Sequence, residues 1–192
     1  MFQVRLHGRG GQGVVTGAEI LSIAAFLQNF HSQAFPSFGS ERMGAPVTAF
    51  CRMDTRPIRL REPVAEPDCL IIQDATLLAQ VADLFAGLTP GGYVLLNTAQ
   101  PLESLGLGKA VTDLPTGHLI AVDATTIARK HLGRPLPNAA LLGAFAALTE
   151  QLKLEFIQKA ILETFSGKAG AANCAAAAEA YEAVQAGQLV TA

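Results

Sequence analysis

The sequence has no tryptophan, two tyrosines and three cysteines, and only 16% of its 192 residues are charged. Each shortage excludes something. Cys51, Cys69 and Cys174 are odd in number, far apart and without CxxC spacing, so the chain alone cannot build a disulfide framework, a zinc knuckle or an iron–sulfur cluster from them. A pI near 6.1, the missing tryptophan and the lack of aromatics between the arginines leave no stacking platform or phosphate-tracking stripe, so nucleic acid is a poor partner. Half of the residues are apolar and mean hydropathy is +0.32. No stretch nears the roughly 18 consecutive apolar residues of a membrane-spanning helix, so no span is expected. The start, Met1 to Leu6, lacks the basic region, apolar run and cleavage site of a signal peptide, which predicts a cytoplasmic protein. With no linker or repeat in sight, length and apolar content predict one domain over residues 1–192.

The charge that is present is unevenly spread. Residues 1–61 carry seven basic groups, all arginine, against Glu19, Glu41 and Asp54, a net of +4, whereas the remainder carries seven basic and thirteen acidic groups, a net of −6. The first third of the chain is therefore suited to an anion or an acidic partner surface.

Phe2–His7 reads as a strand, Gly8-Arg9-Gly10-Gly11-Gln12-Gly13 as a tight turn, and Val14 to about Gln28 as a helix. Proline-rich residues 35–67 predict strands at Pro46–Met53 and Pro57–Leu60, joined as a hairpin through Asp54-Thr55-Arg56. The apolar runs Cys69–Gln73, Gly92–Leu96 and His118–Val122 suit parallel strands buried on both faces, with a helix over about Ala75–Ala86. Helices are expected at Ala124–His131, Asn138–Leu148, Leu154–Phe165 and Ala169–Val184. The alanine-rich stretch Ala175–Ala178 suits a helix packed closely on a neighbour. The pattern implies an α/β three-layer sandwich: a mostly parallel sheet, helices on both faces and a β-hairpin insertion.

The glycine turn joins a strand to a helix, the geometry in which backbone N–H groups can meet an anion closely while Arg9 supplies a cationic fork. Its GxGGQG pattern is not the dinucleotide GxGxxG. The acidic ribose-binding residue about 20 positions on is missing, as is the Lys-Ser/Thr of a Walker loop. Anion cradle and purely structural turn both remain open. The loop Phe35 to Pro46, with Phe35, Phe38, Glu41 and Arg42, reads as a protein–protein contact in preference to an intramolecular loop in which Arg42 pairs with Glu41 or Glu62. Arg52, Arg56, Arg59 and Arg61 read either as solvated edge charges or as a docking face, with Arg59 and Arg61 alternating onto one side of a strand. His7, His31, His118 and His131 are scattered, and no nucleophile elbow or metal-ligand spacing is present, so no catalytic residue and no metal site is assigned. His7, beside the glycines, reads as a core or capping group.

His7–Gly13, Ala34–Gly39, Glu41–Val47 and Pro57-Ile58-Arg59 together closely resemble the gamma subunit of the 2-oxoacid:ferredoxin oxidoreductases, of which pyruvate synthase is the best-known member. The similarity continues through Glu66-Pro67-Asp68, Gln73-Asp74, Pro137-Asn138, Leu142–Phe145, Gly167-Lys168, Asn173 and Tyr181, covering essentially the whole chain. Met43 stands where a second arginine is commoner. The ERxGAPV form resembles the pyruvate, branched-chain or aromatic 2-oxoacid branches. The resemblance implies a hetero-oligomer with alpha, beta and ferredoxin-like delta subunits, in which thiamine diphosphate, Mg²⁺ and [4Fe-4S] clusters are held elsewhere. It implies conversion of a 2-oxoacid and coenzyme A to acyl-CoA and CO2, with electrons passing to ferredoxin or an NAD-linked acceptor subunit. On that reading Gly8, Arg9, Gly10, Gly11, Gln12 and Gly13 receive the CoA phosphates, and Phe35, Phe38, Glu41, Arg42 and Arg59 touch other subunits. A freestanding dinucleotide-binding oxidoreductase and a purely architectural subunit are the alternatives.

Overall fold

The computed structural model describes residues 1–37, 43–81, 83–107, 111 and 113–188. Six strands form one sheet in the order β2-β3-β1-β4-β5-β6: β1 (Phe2–Arg9), β2 (His31–Pro36), β3 (Pro46–Asp54), β4 (Cys69–Ile72), β5 (Tyr93–Asn97) and β6 (Leu119–Val122). β1, β4, β5 and β6 are parallel neighbours, and β3 alone runs against the rest. The helices are α1 (Val14–Leu27), α2 (Ala124–Leu132), α3 (Asn138–Thr149), α4 (Leu154–Thr164) and α5 (Gly167–Gln185). An α/β fold on a mostly parallel sheet is thus what the chain adopts.

Alternation along each strand sorts the two faces. Val4, Leu6, Ala49, Cys51, Cys69 and Ile71 meet α1 and α3–α5 in the larger core. α3 is buried on nearly every side, as suits a helix apolar all round. A Cβ added at Gly143 would land on the Ala177 carbonyl oxygen, so α3 and the alanine face of α5 approach as closely as backbones can. This matches the close packing expected of Ala175–Ala178.

The opposite face, with Leu70, Ile72, Val94 and Leu96, is covered more thinly. The helix expected over Ala75–Ala86 is only a 3-10 turn at Ala75–Ala79. Its winding stops at Gln80, and the left-handed backbone of Asp83 (φ 57) three residues on is incompatible with a helix continuing through that position, while Leu77 and Leu84 still reach the core. The predicted hairpin also has a different second strand. Pro57–Leu60 is not a strand, and β3 pairs with β2 along His31↔Asp54 to Pro36↔Ala49. The polar run His31-Ser32-Gln33 hides β2 in the sequence, but its place at the sheet edge tolerates polar side chains and Pro36. The Asp54-Thr55-Arg56 turn does form, its Arg56 N–H donating to Asp54 Oδ1 at 3.0 Å.

Candidate functional site at the glycine hairpin

β1 delivers the glycine hairpin to the carboxyl end of the sheet. From there α1 leaves over one face, while the chain after β4 covers the other. Such a switch point between parallel strands leaves a crevice outside the strand ends.

The hairpin is held by side chains reaching across from the end of β4. Arg9 donates from Nε to Asp74 Oδ2 (3.0 Å), and from its terminal nitrogens to Gly44 O (3.0 Å), Thr76 Oγ1 (2.6 Å) and Gln80 Oε1 (2.7 Å). Gln12 folds back, accepting from Arg9 N–H (2.8 Å) and donating to Asp74 Oδ2 (2.9 Å). Burial alone would raise the Asp74 carboxyl, but hydrogen bonds from Thr76 and Gln12 and the Arg9 charge outweigh it and hold Asp74 below its ordinary value. Arg9 and Gln12 therefore brace the turn.

The backbone they brace is open. Gly13 caps α1 in the left-handed region (φ 73), where a Cβ would also meet Asn138 Nδ2 at 2.7 Å, so only glycine fits without strain. α1 has no side-chain cap, and its first satisfied amide is Gly17, donating to Gly13 O at 2.8 Å. Among the described residues the N–H groups of Gly11, Gly13, Val14, Val15 and Thr16 have no acceptor. This is the anion-receptive arrangement expected at a helix N-terminus.

Two clefts flank the hairpin. The smaller, about 330 Å³, runs along Arg9 and the first turn of α1. The larger, about 490 Å³, lies between Gly10–Gln12 and a wall of Gln73, Asp74, Asn97, Thr125 and Pro135–Pro137, with Met43 at the rim. Asn97 donates to Gln73 O (2.7 Å) and Thr125 Oγ1 (2.9 Å), fixing the strand ends.

The other expected site residues are dispersed. Phe35 lies on β2, 5.2 Å from the Phe50 ring and beneath the Arg52 guanidinium at 5.4 Å, so much of it is used within the chain. Phe38, Glu41 and Arg42 lie outside the described residues. Arg56, Arg59 and Arg61 are exposed, but Arg59 and Arg61 are not on a strand. Arg52 is no solvated edge charge: it is 2% exposed, donates from Nε to Gln3 Oε1 at 2.9 Å, and leaves one terminal nitrogen without a partner among the described residues. His7 is buried as expected, accepting from Arg5 Nε at 3.1 Å. Burial, reinforced by Arg5, pushes its pKa down to about 3, so the imidazole is neutral. Cys51 and Cys69 flank Val4 in the core, and burial pushes the Cys51 thiol up to about 12. Among the described residues no three His, Cys, Asp or Glu side chains are grouped to hold a metal ion, and no helix is long and apolar enough to cross a membrane.

Residue-type motifs pass over Gln73, Asn97 and Thr125. The available signal is their position: Gln73 follows and Asn97 ends a buried apolar run, and Thr125 lies in the first turn of the helix after a third, where parallel strands deliver side chains to a crevice.

Residues 3–183 match the sequence profile of the family described as pyruvate ferredoxin/flavodoxin oxidoreductase. The chain belongs to this family. It is 51% identical over 182 residues to the common gamma subunit of the pyruvate/ketoisovalerate oxidoreductases of Pyrococcus furiosus, covering 95% of this chain and 96% of that one. It is 47% identical to pyruvate synthase subunit PorC of Methanothermobacter marburgensis, covering 95% and 97%. The crystal structure of pyruvate oxidoreductase subunit PORC from Thermotoga maritima superposes with a TM-score of 0.78 at 34% identity, covering 94% of this chain and 95% of that one. Within the pyruvate ferredoxin/flavodoxin oxidoreductase family the chain is therefore of the gamma-subunit type.

Proposed function

We propose that this gamma-type chain, acting as one domain, contributes the coenzyme A phosphate site and a docking face to a cytoplasmic 2-oxoacid oxidoreductase. The overall reaction is 2-oxoacid + CoA + 2 oxidised ferredoxin → acyl-CoA + CO2 + 2 reduced ferredoxin + H⁺, with pyruvate, a branched-chain or an aryl 2-oxoacid as substrate and ferredoxin or an NAD-linked subunit as acceptor. Thiamine diphosphate with Mg²⁺ on partner alpha and beta subunits supplies the carbanion-stabilising chemistry, and [4Fe-4S] clusters of the ferredoxin-like delta subunit carry the electrons. This chain's residues bind and orient. The observation that carries the reading is the row of five N–H groups, those of Gly11, Gly13, Val14, Val15 and Thr16, without an acceptor among the described residues, opening on a cleft beside a braced cation. Phe35, Phe38, Glu41, Arg42 and the exposed Arg59 remain the proposed docking residues.

The test is CoA titration of the assembled complex carrying Arg9→Ala and Arg9→Lys. Weaker CoA binding is expected from both, less so with lysine, which keeps the charge but not the fork. Unchanged affinity in both would overturn the phosphate assignment. The ties of Arg9 and Gln12 to Asp74 favour one second reading, an architectural hairpin without a ligand. On that reading the same substitutions lower the yield of complex and leave CoA affinity alone.

A further inference from the structure

β2 is an end strand of the sheet, and its outer edge is open. Ser37 N–H donates to Thr48 O at 2.8 Å, which sets the phase of the β2–β3 ladder: His31, Gln33 and Phe35 turn their backbone groups to β3. The backbone groups of Ser32, Ala34 and Pro36 therefore point outward. Among the described residues nothing answers the outward N–H groups of Ser32 and Ala34. An edge is usually kept from pairing by charged side chains, a bulge or proline. β2 has no Lys, Arg, Asp or Glu, its register is unbroken, and Pro36 stands only at its far end.

The helix beside this edge is also incompletely covered. α1 carries one charged residue, Glu19, in its 14 residues, a composition suited to burial on every side. Yet Phe26 is 70% exposed, and Val15 and Ile23 are only partly buried. Val15, Glu19, Ser22 and Phe26 recur at helical spacing and share one stripe. Ser22 fixes where that stripe lies: its carbonyl accepts from Ser32 Oγ at 2.7 Å and its hydroxyl donates to Ser32 Oγ at 3.1 Å. Val15 and Phe26 thus flank the contact of α1 with the edge strand.

The other face of the edge is basic. Gln33, which alternates to the side opposite Ser32, donates from Nε2 to Leu60 O at 2.7 Å. That bond holds the exposed Arg59 and Arg61 beside this face, and the exposed Arg56 sits by Asp54, the partner of His31. Among the described residues none of the three arginines has an acidic group within 4 Å, and Asp54 is engaged by the Met1 ammonium at 3.0 Å. Glu62 is the one other carboxylate between residues 54 and 62.

We infer that β2 receives an extended segment of another subunit as an added strand, its apolar residues facing Val15 and Phe26 and its acidic residues alternating toward Arg59 and Arg61. Main-chain bonds hold such a strand, and alternate side chains select it. A second copy of this chain fits badly, because its β2 brings no carboxylate and would set both arginine clusters on one face of the joined sheet. The inference rests on the docking face proposed above, whose Arg59 it uses, and does not depend on coenzyme A.

Replacing Phe26 by the photo-crosslinker p-benzoylphenylalanine in the full chain, and sequencing what it captures in the assembled complex, tests this. The expected capture is a stretch of another subunit in which carboxylates alternate with apolar residues. Arg59→Glu combined with Arg61→Glu should lower that capture about tenfold at low salt and by less at high salt. Ala34→Pro, which removes an outward donor and no bond to β3, should also lower it about tenfold, the order of one hydrogen bond. Capture of a second copy, of a stretch without carboxylates, or of nothing overturns the inference. A measurement without substitutions stands beside it: the Ser32 and Ala34 N–H groups should exchange about 100-fold more slowly in the complex than in the chain alone. Equal exchange in an intact complex overturns the added strand and leaves the broader docking reading, whereas a chain that forms no complex overturns both.

Discussion

Replacing Asp74 by asparagine isolates what holds the glycine hairpin in shape. One carboxylate oxygen accepts from Arg9 Nε and Gln12 Nε2, the other from the backbone N–H and hydroxyl of Thr76. An amide has one oxygen, so in either orientation its NH2 faces two donors. Two charge-assisted hydrogen bonds are lost and Arg9 loses its counter-ion. Each such bond is worth about 1.5–3 kcal/mol when well shielded. The Asp74 and Arg9 side chains are 16% and 20% exposed, so solvent discounts the pair, and a net loss of about 2–4 kcal/mol is expected. Urea unfolding at pH 7 measures it, with an unchanged m-value showing that only stability moved. A double-mutant cycle with Arg9→Met apportions the loss, and a coupling of about 1 kcal/mol or more is predicted. Asp74→Asn as stable as wild type, or no coupling to Arg9, would refute the claim that these side chains brace the turn.

Three further perturbations follow from other parts of the molecule. His7 has an ordinary pKa of 6.5 and a folded value of about 3, so the unfolded chain binds the extra proton between them, and its stabilising contribution is full above pH 6.5 and is lost as pH falls toward 3. Between pH 8 and pH 5 this amounts to about 2 kcal/mol, and urea midpoints of wild type and His7→Gln should diverge across that window; parallel pH profiles would contradict it. Gly143→Ala places a methyl on the Ala177 carbonyl and should cost about 2–4 kcal/mol by thermal or urea unfolding, a neutral effect showing that α3 and α5 part easily. Arg52→Met removes a buried guanidinium with one unpartnered nitrogen and keeps a stem against Phe35, so stability should stay within about 1 kcal/mol of wild type or rise; a loss above about 3 kcal/mol would mean that the buried charge is strongly favourable.

Regular elements with a strong pattern were legible in the sequence. The runs ending in Gln73, Leu96 and Val122 became parallel strands because burial on both faces demands continuous apolar residues. The four C-terminal helices fell within two residues of expectation. β2 was not legible, since an edge strand facing solvent needs no apolar alternation, and its pairing to β3 rather than Pro57–Leu60 is a tertiary choice. The helix expected from Ala75 winds only as a 3-10 turn to Ala79, and apolar spacing reports neither that stop nor the left-handed backbone at Asp83. At the site, the glycines pointed to an open turn, but the roles of Arg9 and Gln12 as braces depend on Asp74, 62 residues beyond Gln12. Nothing local marks Arg52 as buried or Gln73 as unpartnered; both facts belong to the packing around them.

The most direct test of the central claim is hydrogen exchange of the assembled complex with and without coenzyme A, resolved to Gly11, Gly13, Val14, Val15 and Thr16. If these five N–H groups receive the ligand's phosphates, their exchange slows when CoA is added in the absence of 2-oxoacid, while that of the α4 and α5 amides is unchanged. Exchange at the hairpin indifferent to saturating CoA would contradict the account.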